Sequence, residues 1–530
     1  MTARRVDRRP PLHYPDNPLH AFLRRAAEVD PERTFLRFED ETFTFREMDA
    51  WGTAFANALR SAGIDPGDRV LLAMSNRSEC LMVQHGVSQA GAATVLVNPS
   101  WKPYELERAF EITRPVAVVT DGPLAETVDA VGSQVPALRI CVDDPPAGWR
   151  PFWDLVTSAG GHRPPEIDGD LSKIEAVLPF SSGTTGLPKA VRHSHRSLTA
   201  AITQRVAAYG ITDEDRLQYF MALCTTYGVI CSLAALAARA SFRLFRRFDA
   251  VQVLQNIEAE RITLAFGAAP VARAFRDTTD LERFDLSSLR WMMWGATPVL
   301  PEIAGEVTRR SGIRWMQAYG TTEIGITSNP ATEPGRFRLD SPGFALSDVE
   351  LRTVDPKTGT TLPRGEVGEL VVAIPAVMMG YLPEEDNAGV FLPDGAFRTG
   401  DLAFVDDQGW VHLTDRVKEL IKVSAFQVAP AELERLISTV PGVVDCAVYG
   451  VPDERRGERP KAAVVTDASD PPDEATIVAF VAERVATYKH LVGVRFVEEI
   501  PRNAGGKILR WMLRDSDATP SADGHRPRGD

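Results

Sequence analysis

The sequence predicts an α/β protein in which a large N-terminal domain precedes a small α+β C-terminal domain. Up to about residue 336, short apolar runs alternate with helical patterns of about 10–15 residues, which is typical of βαβ units and mainly parallel sheets. From 343 to 411 the pattern changes to short strands between Gly, Pro and Asp turns. At 530 residues the chain exceeds one ordinary core. We therefore expect two αβ-layered subdomains and a β-rich subdomain in residues 1–415, and the small domain in residues 416–515.

The first αβ subdomain shows its clearest helical pattern where Met48, Trp51, Phe55 and Leu59 recur at helical spacing. Gly63 follows as a C-terminal stop. In order, the predicted elements are a helix over 17–31, strands at 35–38 and 43–45 that form a hairpin, the helix just described, strands at 70–74, 94–97 and 116–119, and helices ending near Gly91 and beginning at Tyr104.

The boundary between the two domains is predicted within Thr414–Lys418. Upstream of it, the predicted elements of the second αβ subdomain are helices over 195–209 and 232–240 and a strand at 291–294. Downstream, the predicted elements are strands at 420–423, 446–449, 462–465 and 494–497, a helix from Pro430 and a helix over 475–488. Residues 516–530 are polar and contain Pro, Gly and Asp, which predicts a disordered tail.

The composition excludes several classes of protein. The net charge is −13, from 59 basic and 72 acidic residues, which argues against a general binder of nucleic acid or of anionic membranes. The five cysteines are scattered without CxxC spacing, as in a reduced cytosolic protein that has no structural zinc site. No uncharged run reaches about 18 residues, and no apolar segment follows the basic N-terminus. We expect a cytoplasmic protein without a membrane span, and the sequence predicts no particular oligomeric state.

One loop has unusual chemistry. The segment Phe180–Val191 reads Phe-Ser-Ser-Gly-Thr-Thr-Gly-Leu-Pro-Lys-Ala-Val, with four hydroxyl groups, two glycines and a lysine. Glycine lets backbone N–H groups approach a ligand, and hydroxyls and a lysine beside them suit a polyphosphate. Composition alone favours a solvated turn between two strands. A Walker loop is rejected because it ends in Gly-Lys-Ser/Thr, whereas here Pro188 precedes Lys189.

Four more polar segments follow this loop in a fixed order. They are Gly295-Ala-Thr-Pro298, Gln317-Ala-Tyr-Gly-Thr-Thr-Glu323, Phe397-Arg-Thr-Gly-Asp401 with Asp415-Arg416, and Pro501-Arg-Asn-Ala-Gly-Gly-Lys-Ile-Leu-Arg510. Together with Ser182-Gly-Thr-Thr-Gly-Leu-Pro-Lys189, they resemble the adenylate-forming superfamily of acyl-CoA synthetases, luciferases and adenylation domains. The resemblance runs from about residue 20 to residue 512.

The resemblance implies a ligase that uses ATP and Mg²⁺ to activate a carboxylic acid as its acyl-adenylate, and then transfers the acyl group to CoA. Attack of a carboxylate on the α-phosphate develops charge that fixed donors and a metal must neutralise. In this scheme the loop 182–189 holds the β- and γ-phosphates. The nucleotide-binding residues implied by the resemblance are Ser181, Ser182, Gly183, Thr184, Thr185, Gly186, Lys189, Gly295, Ala296, Thr297, Gln317, Ala318, Tyr319, Gly320, Thr321, Thr322, Glu323, Asp401, Arg416 and Lys507.

The segment Tyr319–Glu323 matches the family's Tyr-Gly-x-Thr-Glu pattern. By resemblance, Tyr319 stacks on the adenine and Thr322 contacts the α-phosphate. Glu323 holds Mg²⁺, for which Thr184 is the second implied ligand, since Mg²⁺ prefers oxygen.

Three further residues complete the implied site. Asp401 would accept both ribose hydroxyls, because a carboxylate has acceptor capacity for two donors, and Arg416 would approach the ribose as well. Lys507 would bridge the substrate carboxylate and the α-phosphate. The implied catalytic residues are thus Lys507, Thr184 and Glu323.

The small domain is mobile if the resemblance holds, because Lys418 matches the family's hinge position. Rotation there would present first Lys507 and then the face around residues 423–428. One active site would then serve two half-reactions by domain alternation.

The implied acid-binding site departs from the family's pattern. Thr225 stands where the family usually has histidine or an aromatic residue, which leaves gating of the site by that side chain in doubt. The small side chains of Phe266-Gly-Ala-Ala-Pro270 leave volume for a hydrophobic acid that is bulky or even polycyclic, although drift of core residues explains them equally well. The substrate-binding residues implied are Thr225, Tyr227, Gly228, Gly267, Gly295, Gly320 and Ala425.

Ala425 stands where the family generally has glycine, in a loop that faces the pantetheine passage during thioester formation. Its methyl group, and the cost of any positive φ, would hinder CoA transfer and spare adenylation. A rival hypothesis is therefore the adenylation half-reaction alone, with the acyl-AMP passed to another enzyme or the acyl group to a carrier-protein thiol.

Three alternatives of other kinds are weaker. A non-catalytic nucleotide-binding protein would be expected to lose Lys507 or Glu323, and both are present. An amino-acid-activating domain would place an aspartate in residues 223–228, which contain none. Luciferase-type oxidation is a rare activity on this fold, despite the luciferase-like segment Phe426–Glu432.

Overall fold

The computed structural model describes residues 9–182, 188–295, 301–324, 328–329, 339–416, 420–424, 426–467, 469, 471–501 and 508–518. The larger of two compact units is formed by residues 1–181 and 188–418, and the smaller unit includes residues 419–530. The chain thus divides after Lys418, and the predicted boundary segment Thr414–Lys418 ends at this residue.

The helices occupy the following residues: α1 His20–Val29, α2 Phe45–Ser61, α3 Ser78–Gln89, α4 Pro103–Thr113, α5 Gly122–Asp129, α6 Phe152–Ser158, α7 His195–Tyr209, α8 Thr226–Ala238, α9 Ala250–Glu260, α10 Ala269–Asp277, α11 Pro301–Ser311, α12 Pro430–Ile437, α13 Glu474–Arg484 and α14 Arg510–Ala518. Among these described helices, none has both the length and the apolar character needed to cross a membrane.

The strands occupy the following residues: β1 Thr34–Phe38, β2 Glu41–Thr44, β3 Arg69–Ala73, β4 Ala93–Leu96, β5 Ala117–Thr120, β6 Leu138–Cys141, β7 Arg150–Pro151, β8 Glu175–Ser182, β9 Pro188–Ser194, β10 Arg216–Tyr219, β11 Ser241–Leu244, β12 Leu264–Gly267, β13 Trp291–Trp294, β14 Trp315–Gln317, β15 Ser328–Asn329, β16 Phe344–Ala345, β17 Glu350–Val354, β18 Gly368–Ala373, β19 Gly380–Leu382, β20 Phe397–Val405, β21 Val411–Arg416, β22 Ile421–Val423, β23 Phe426–Val428, β24 Val443–Asp453, β25 Gly457–Thr466 and β26 Val494–Phe496.

The predicted helix that contains Met48 is α2. Thr44 caps its N-terminus in a reciprocal capping box, in which the Glu47 N–H donates to the Thr44 hydroxyl at 3.2 Å. Met48, Phe55 and Leu59 are buried, as the helical spacing predicts. Gly63 follows the helix at a φ of 88°, where glycine is favoured, so the predicted stop is confirmed.

An eight-stranded sheet forms one αβ layer, with the strand order β19-β9-β8-β4-β3-β5-β6-β7. Its strands from β8 to β7 in this order run parallel to one another. Val70, Leu71 and Leu72 of the central strand β3 are buried, which is expected for a parallel strand covered on both faces. The predicted parallel sheet is therefore confirmed.

A seven-stranded sheet forms the second αβ layer, with the order β14-β13-β12-β10-β11-β1-β2. The predicted hairpin of β1 and β2 is confirmed, but it joins this sheet, which otherwise consists of residues 216–317. Leu36 of β1 pairs in parallel with Phe242 of β11. The two αβ subdomains are thus interleaved in sequence.

The β-rich segment forms a four-stranded antiparallel sheet in the order β17-β18-β20-β21. Strand β19 of the same segment belongs to another sheet, because it pairs antiparallel with β9 at the edge of the eight-stranded sheet. Tyr381 of β19 lies opposite Val191 of β9. This exchange brings the β-rich segment against the strand that follows the predicted phosphate loop.

Two predicted helices have different bounds in the structure. The helix predicted over 232–240 begins at Thr226, because Thr225 caps the N-terminus of α8. The helix predicted over 475–488 ends at Arg484, and a separate short turn covers Thr487–Lys489.

The smaller unit is an α+β fold, as predicted. Its five-stranded sheet has the order β23-β22-β25-β24, and β26 pairs in parallel with β25. The Nζ of Lys489 lies 2.6 Å from Glu432 Oε1, and both side chains are nearly fully buried. Helix α14 extends to Ala518, and the remaining residues of the predicted tail, 519–530, lie outside the described residues.

Candidate active site

The carboxyl ends of three neighbouring parallel strands bring predicted site residues to one edge of the seven-stranded sheet. Gly267 ends β12, Gly295 follows β13, and Gln317 ends β14. The Gly295 N–H donates to the Gly267 carbonyl at 3.3 Å, and the Ala318 N–H donates to the Trp294 carbonyl at 3.2 Å. Ligands of open α/β sheets bind outside the carboxyl ends of the strands. This edge is therefore the candidate site.

The segment Tyr319–Glu323 leaves this edge and is held by two other elements. The Thr322 carbonyl accepts hydrogen bonds from His193 Nε2 of β9 at 2.8 Å and from Thr226 Oγ1 of α8 at 3.0 Å. Burial lowers the pKa of His193 to about 4, so its imidazole is neutral and carries its proton on Nε2. The hydroxyl oxygen of Thr321 is buried and has no partner within the described ranges. It is therefore available to a ligand.

Glu323 is buried, and the chain fixes the position of its carboxylate. The Tyr381 hydroxyl donates to Glu323 Oε1 at 2.9 Å, and the Met378 N–H donates to the Glu323 carbonyl at 2.9 Å. Burial and the negative charge of Glu323 raise the pKa of Tyr381 well above its ordinary value, so the tyrosine remains a donor. The resulting orientation suits the carboxylate oxygen that a Mg²⁺ ion prefers.

Lys189, which closes the predicted phosphate loop, is buried and paired with an acid. Its Nζ lies 3.0 Å from Asp386 Oδ1 and 5.0 Å from the centroid of the Tyr381 ring. Only 6% of the lysine side chain is exposed. A phosphate at Lys189 would thus share this ammonium group with Asp386.

The two residues implied for adenine and ribose are in direct contact. The Tyr319 hydroxyl donates to Asp401 Oδ2 at 2.5 Å, and both residues are buried. Asp401 is oriented by its own strand, since its N–H donates to Thr399 Oγ1 at 3.1 Å. In the backbone register, Asp401 of β20 lies opposite Arg416 of β21. Residues that are far apart in sequence thus meet at one place.

Thr225 has a local structural role. Its hydroxyl accepts from the Gly228 N–H at 3.1 Å and donates to the Ala222 carbonyl at 3.0 Å, which caps α8. A Cβ at Gly228 would lie 2.8 Å from the Ala222 oxygen, so the capped turn requires glycine there. The Thr225 hydroxyl is therefore already engaged within the chain.

The predicted acid-binding side is aromatic. The ring centroid of Tyr227 lies 5.9 Å from that of Phe266 and 6.4 Å from that of Tyr219. A Cβ at Gly267 would lie 2.8 Å from Met292 Cε, so the space beside this glycine is already filled. Among the described residues, a Cβ at Gly295 would meet the Ala318 oxygen alone, at 3.8 Å. The described residues therefore leave space for a methyl group at Gly295 and not at Gly267.

Comparison with known families identifies the class of this site. A profile of the AMP-binding enzyme family matches residues 23–382, and a profile of the AMP-binding enzyme C-terminal domain matches residues 432–507. The first match alone covers more than half of the chain. The chain belongs to the AMP-binding enzyme family.

Relatives of this AMP-binding enzyme are CoA ligases. A 4-coumarate–CoA ligase 2 from Oryza sativa subsp. japonica is 35% identical over 527 residues, which cover 94% of this chain and 92% of the relative. A 4-coumarate–CoA ligase 2 from Nicotiana tabacum is 31% identical over 519 residues, which cover 95% of each chain.

Solved structures agree with this placement. The chain is similar to an o-succinylbenzoate CoA synthetase from Bacillus subtilis, with a TM-score of 0.84 and 26% identity over 94% of this chain and 98% of that one. It is also similar to an amide bond synthetase from Marinactinospora thermotolerans, with a TM-score of 0.84 and 28% identity over 93% of this chain and 99% of that one.

These matches confirm the predicted superfamily, its CoA-ligase branch and its fold. The chain is an AMP-forming acid–thiol ligase, for which ATP, CoA and a small-molecule acid are the substrates.

Some predicted site residues of this AMP-binding enzyme lie outside the described residues. They are Gly183, Thr184, Thr185, Gly186, Ala296, Thr297, Lys418, Ala425 and Lys507. For Ser182 and Arg416 only the backbone is described. Ser181 is the last residue of β8 whose side chain is described, and it is half-buried. Gly320 follows Tyr319 in the segment held at Thr322 and is also half-buried.

The sequence interpretation missed Thr226, which donates to the Thr322 carbonyl, and four other residues that position the site. His193, Tyr381 and Asp386 contact Thr322, Glu323 and Lys189, as described above. The fourth is Asn76, whose Nδ2 donates to the Met221 carbonyl at 2.8 Å and whose Oδ1 accepts from the Leu223 N–H at 2.9 Å. Asn76 stands three residues after the end of the buried strand β3, in a short polar segment that was a signal, whereas His193, Tyr381 and Asp386 carry no local signal.

Proposed function

We propose that the chain activates a hydrophobic aryl carboxylic acid as its acyl-adenylate and then transfers the acyl group to CoA. The observation that carries the proposal is the fixed segment Tyr319–Glu323, whose tyrosine and glutamate bond to Asp401 and Tyr381 at the carboxyl edge of the sheet. The relatives named above act on 4-coumarate or o-succinylbenzoate, and both names describe aryl acids. The aromatic pair Tyr227 and Phe266 supports the same class of acid.

In the first half-reaction, a carboxylate oxygen of the acid attacks the α-phosphorus of ATP, and pyrophosphate leaves. Asp401 accepts the ribose hydroxyls and Tyr319 lies against the adenine. The Thr321 hydroxyl donates to a phosphate oxygen. These contacts hold the α-phosphorus in position before the reaction. Such positioning raises the reaction rate because less entropy is lost in the transition state.

Glu323 is the protein carboxylate for Mg²⁺, and Thr184 is the second proposed ligand. Mg²⁺ is commonly bound through one or two carboxylates together with substrate phosphates, so the donor set fits the ion. When bound, the ion neutralises charge on the phosphate oxygens. Tyr381 holds Glu323 in the orientation that this requires.

In the second half-reaction, the thiol sulfur of CoA attacks the acyl carbonyl carbon, its proton is lost, and AMP leaves. Rotation of the small domain about Lys418 exchanges Lys507 for the segment around Ala425. The acid itself is proposed to extend past Gly295, where the described residues leave space for a methyl group, and to carry a bulky or polycyclic ring system.

The role of Lys507 provides the test. Removal of one preorganised donor to developing charge typically lowers the rate by about 100- to 1000-fold. We expect Lys507→Ala to lower pyrophosphate release with para-coumaric acid and ATP by this factor, with little change in the KM for ATP. Lys173→Ala is the matched control, because the Lys173 side chain is 81% exposed and pairs with the exposed Asp170. Equal rates for both variants would contradict the proposal.

A rival acceptor remains a hypothesis because of Ala425. If its methyl group hinders CoA transfer, Ala425→Gly should raise acyl-CoA formation per pyrophosphate released, with pyrophosphate release itself unchanged. If the wild type already forms one acyl-CoA per pyrophosphate, transfer to a carrier protein or to another enzyme is excluded as its main activity.

A further inference from the structure

Beside the predicted acid site, three elements carry polar side chains whose polar atoms are buried, although the Tyr227 side chain as a whole is only partly buried. They are Arg205 of α7, Tyr219 of β10 and Tyr227 of α8, which we call the distal polar cluster. The ring centroids of Tyr219 and Tyr227 lie 5.8 Å and 5.9 Å from that of Phe266. The Arg205 guanidinium lies over the Tyr209 ring, with its carbon 4.3 Å from the centroid. The proposed adenylation chemistry uses none of these polar groups.

The cluster is polar but incomplete. Within the described ranges, Arg205 Nε and the hydroxyls of Tyr219 and Tyr227 are buried and have no hydrogen-bond partner. Arg205 is 1% exposed and Tyr219 is fully buried. Buried polar groups are normally paired, so these three unpaired atoms require an explanation.

Among the described residues, Arg205 contacts the Tyr209 ring and hydroxyl but no carboxylate. Arg205 has no carboxylate within 4 Å in the described part of the chain, whereas the buried Lys489 lies 2.6 Å from Glu432. Burial raises the pKa of both Tyr219 and Tyr227 well above the ordinary value, so neither supplies a negative charge. A buried cation without a counter-charge is disfavoured in the unliganded protein.

The distal polar cluster is continuous with the predicted acid site. Tyr227 stands between Thr226, whose hydroxyl donates to the Thr322 carbonyl at 3.0 Å, and Gly228 of the capped turn. Phe266 directly precedes Gly267, whose carbonyl accepts from the Gly295 N–H at 3.3 Å. A group bound at the cluster is thus linked to the reaction site through α8 and β12.

We propose that the distal polar cluster binds a second anionic group of the acid, and that the chain therefore selects aryl acids that carry a distal carboxylate. The proposal rests on the proposed function, because it takes the reacting carboxylate to lie at the Tyr319–Glu323 end. Arg205 Nη1 already donates to the Tyr209 hydroxyl, which leaves the Nε side of the guanidinium for the ligand. Guanidinium and carboxylate match in geometry, and two tyrosine hydroxyls can donate to the same oxygens.

A neutral occupant is the alternative. A buried water or a phenol would satisfy the hydroxyls of Tyr219 and Tyr227, but it would leave the charge of Arg205 unbalanced. A site for a carboxylate and a site for a neutral group predict different relative affinities for two acids of equal shape, one with and one without a distal carboxylate.

Calorimetry in the presence of a nonhydrolysable ATP analogue distinguishes the carboxylate occupant from the neutral one. The probes are terephthalic acid, para-carboxycinnamic acid and biphenyl dicarboxylic acid, each paired with the analogue whose distal carboxylate is a methyl or hydroxyl group. For the member of fitting length, we expect the wild type to bind the diacid about 100-fold more tightly than the methyl analogue, as for a charge-assisted hydrogen bond. Arg205→Met should remove this preference. Arg196→Met is the matched control, since Arg196 lies on the same helix but is half exposed and paired with Asp16.

The melting temperatures of the variants test whether Arg205 has a purely structural role. Arg205→Met removes a buried charge together with its bond to the Tyr209 hydroxyl, and these losses act in opposite directions, so the ligand-free variant should unfold close to the wild-type temperature. A clear fall in Tm together with an unchanged preference between the paired acids would overturn the proposal. So would equal or tighter binding of the methyl or hydroxyl analogues at every length.

Pyrophosphate release distinguishes the failure of this proposal from failure of the proposed function. If neutral acids are activated and diacids are neither bound nor activated, the distal polar cluster is wrongly assigned and adenylation stands. If a diacid binds in an Arg205-dependent way but no acid releases pyrophosphate, the cluster stands and adenylation fails.

Discussion

At the nucleotide end of the site, formed by Lys189, Glu323 and Asp401, the charged groups have internal partners. At the acid end, formed by the distal polar cluster, the described residues offer Arg205 no counter-charge. Lys189 pairs with Asp386, while Glu323 and Asp401 accept hydrogen bonds from tyrosines. Both ends adjoin the seven-stranded sheet, since Gln317 ends β14 beside the nucleotide end and Tyr219 ends β10 at the acid end. They differ in what supplies the partners of their charged groups: the chain itself at the nucleotide end, and the ligand, as proposed above, at the acid end.

The difference corresponds to what each end must recognise. ATP is the same for every member of the family, so fixed donors and acceptors can be oriented in advance, which lowers the cost of binding and reaction. The acid varies between members. An incomplete polar cluster at the acid end gives selectivity, because an acid that lacks the complementary group leaves the charge buried and unpaired.

Removing a charged group at the nucleotide end should have the largest effect. Asp401→Ala removes the proposed ribose acceptor and leaves the Tyr319 hydroxyl without its carboxylate, so we expect the KM for ATP to rise about 100-fold. Pyrophosphate release as a function of ATP concentration measures the change. Asp407→Ala, in the exposed turn between β20 and β21, is the control. A normal KM for the Asp401 variant would remove ribose binding from the assignment.

Tyr381→Phe tests whether an internal partner orients the Mg²⁺ ligand. The loss of one hydrogen bond to Glu323 should lower kcat about 10-fold and raise the Mg²⁺ concentration needed for half-maximal rate, with a stability loss of about 1 kcal/mol. Tyr449→Phe loses the same type of bond, to Asp517 Oδ2 at 2.7 Å, and should lower stability alone. If both variants leave the Mg²⁺ dependence unchanged, Tyr381 does not position Glu323.

Acid should weaken the nucleotide end through its buried histidine. Burial holds the pKa of His193 at about 4, below the ordinary value of about 6.5, so the unfolded chain binds one more proton between these values. The contribution of His193 to stability is full above pH 6.5, and it falls by about 1.4 kcal/mol per pH unit towards pH 4. Denaturant unfolding at several pH values should show a smaller loss in His193→Gln than in the control His162→Gln, in which the exposed histidine is replaced. Identical slopes would contradict this assignment.

Thr225 should show the smallest effect, because its hydroxyl at the acid end is already engaged in the cap of α8. We expect Thr225→Ala to lower the free energy of unfolding by about 1 kcal/mol and Thr225→Ser to retain most of it. The preference between paired acids should not change in either variant. A changed preference would show that Thr225 contacts the acid.

The elements that could be predicted from sequence are those with local signals. The apolar runs at β12 and β13 and the polar segments after β13 and β14 place the nucleotide end, because parallel strands present their carboxyl ends together. Thr225 could also have been recognised as a cap, since threonine is a favoured residue at helix N-termini. The fold class followed from the same alternation.

The remaining features depend on contacts between distant residues. Nothing near β19 indicates that it pairs with β9, and Tyr381 lies 58 positions from the carboxylate that it orients. The hairpin of β1 and β2 joins a sheet whose other strands begin at Arg216. Two adjacent polar residues on a helix, Gln204 and Arg205, indicate a solvated face, yet Arg205 is buried in the structure. Pairing and burial of this kind are decided by the tertiary structure.

The most direct test of the account combines one substitution with one change in the acid. The kcat/KM values of para-carboxycinnamic and para-methylcinnamic acids, or of the fitting pair from the length series, are measured in the wild type and in Arg205→Met. If the ligand completes the acid end, the ratio of the two values should differ about 100-fold between the proteins, and Arg196→Met should match the wild type. The same ratio in the wild type and in Arg205→Met would contradict the account.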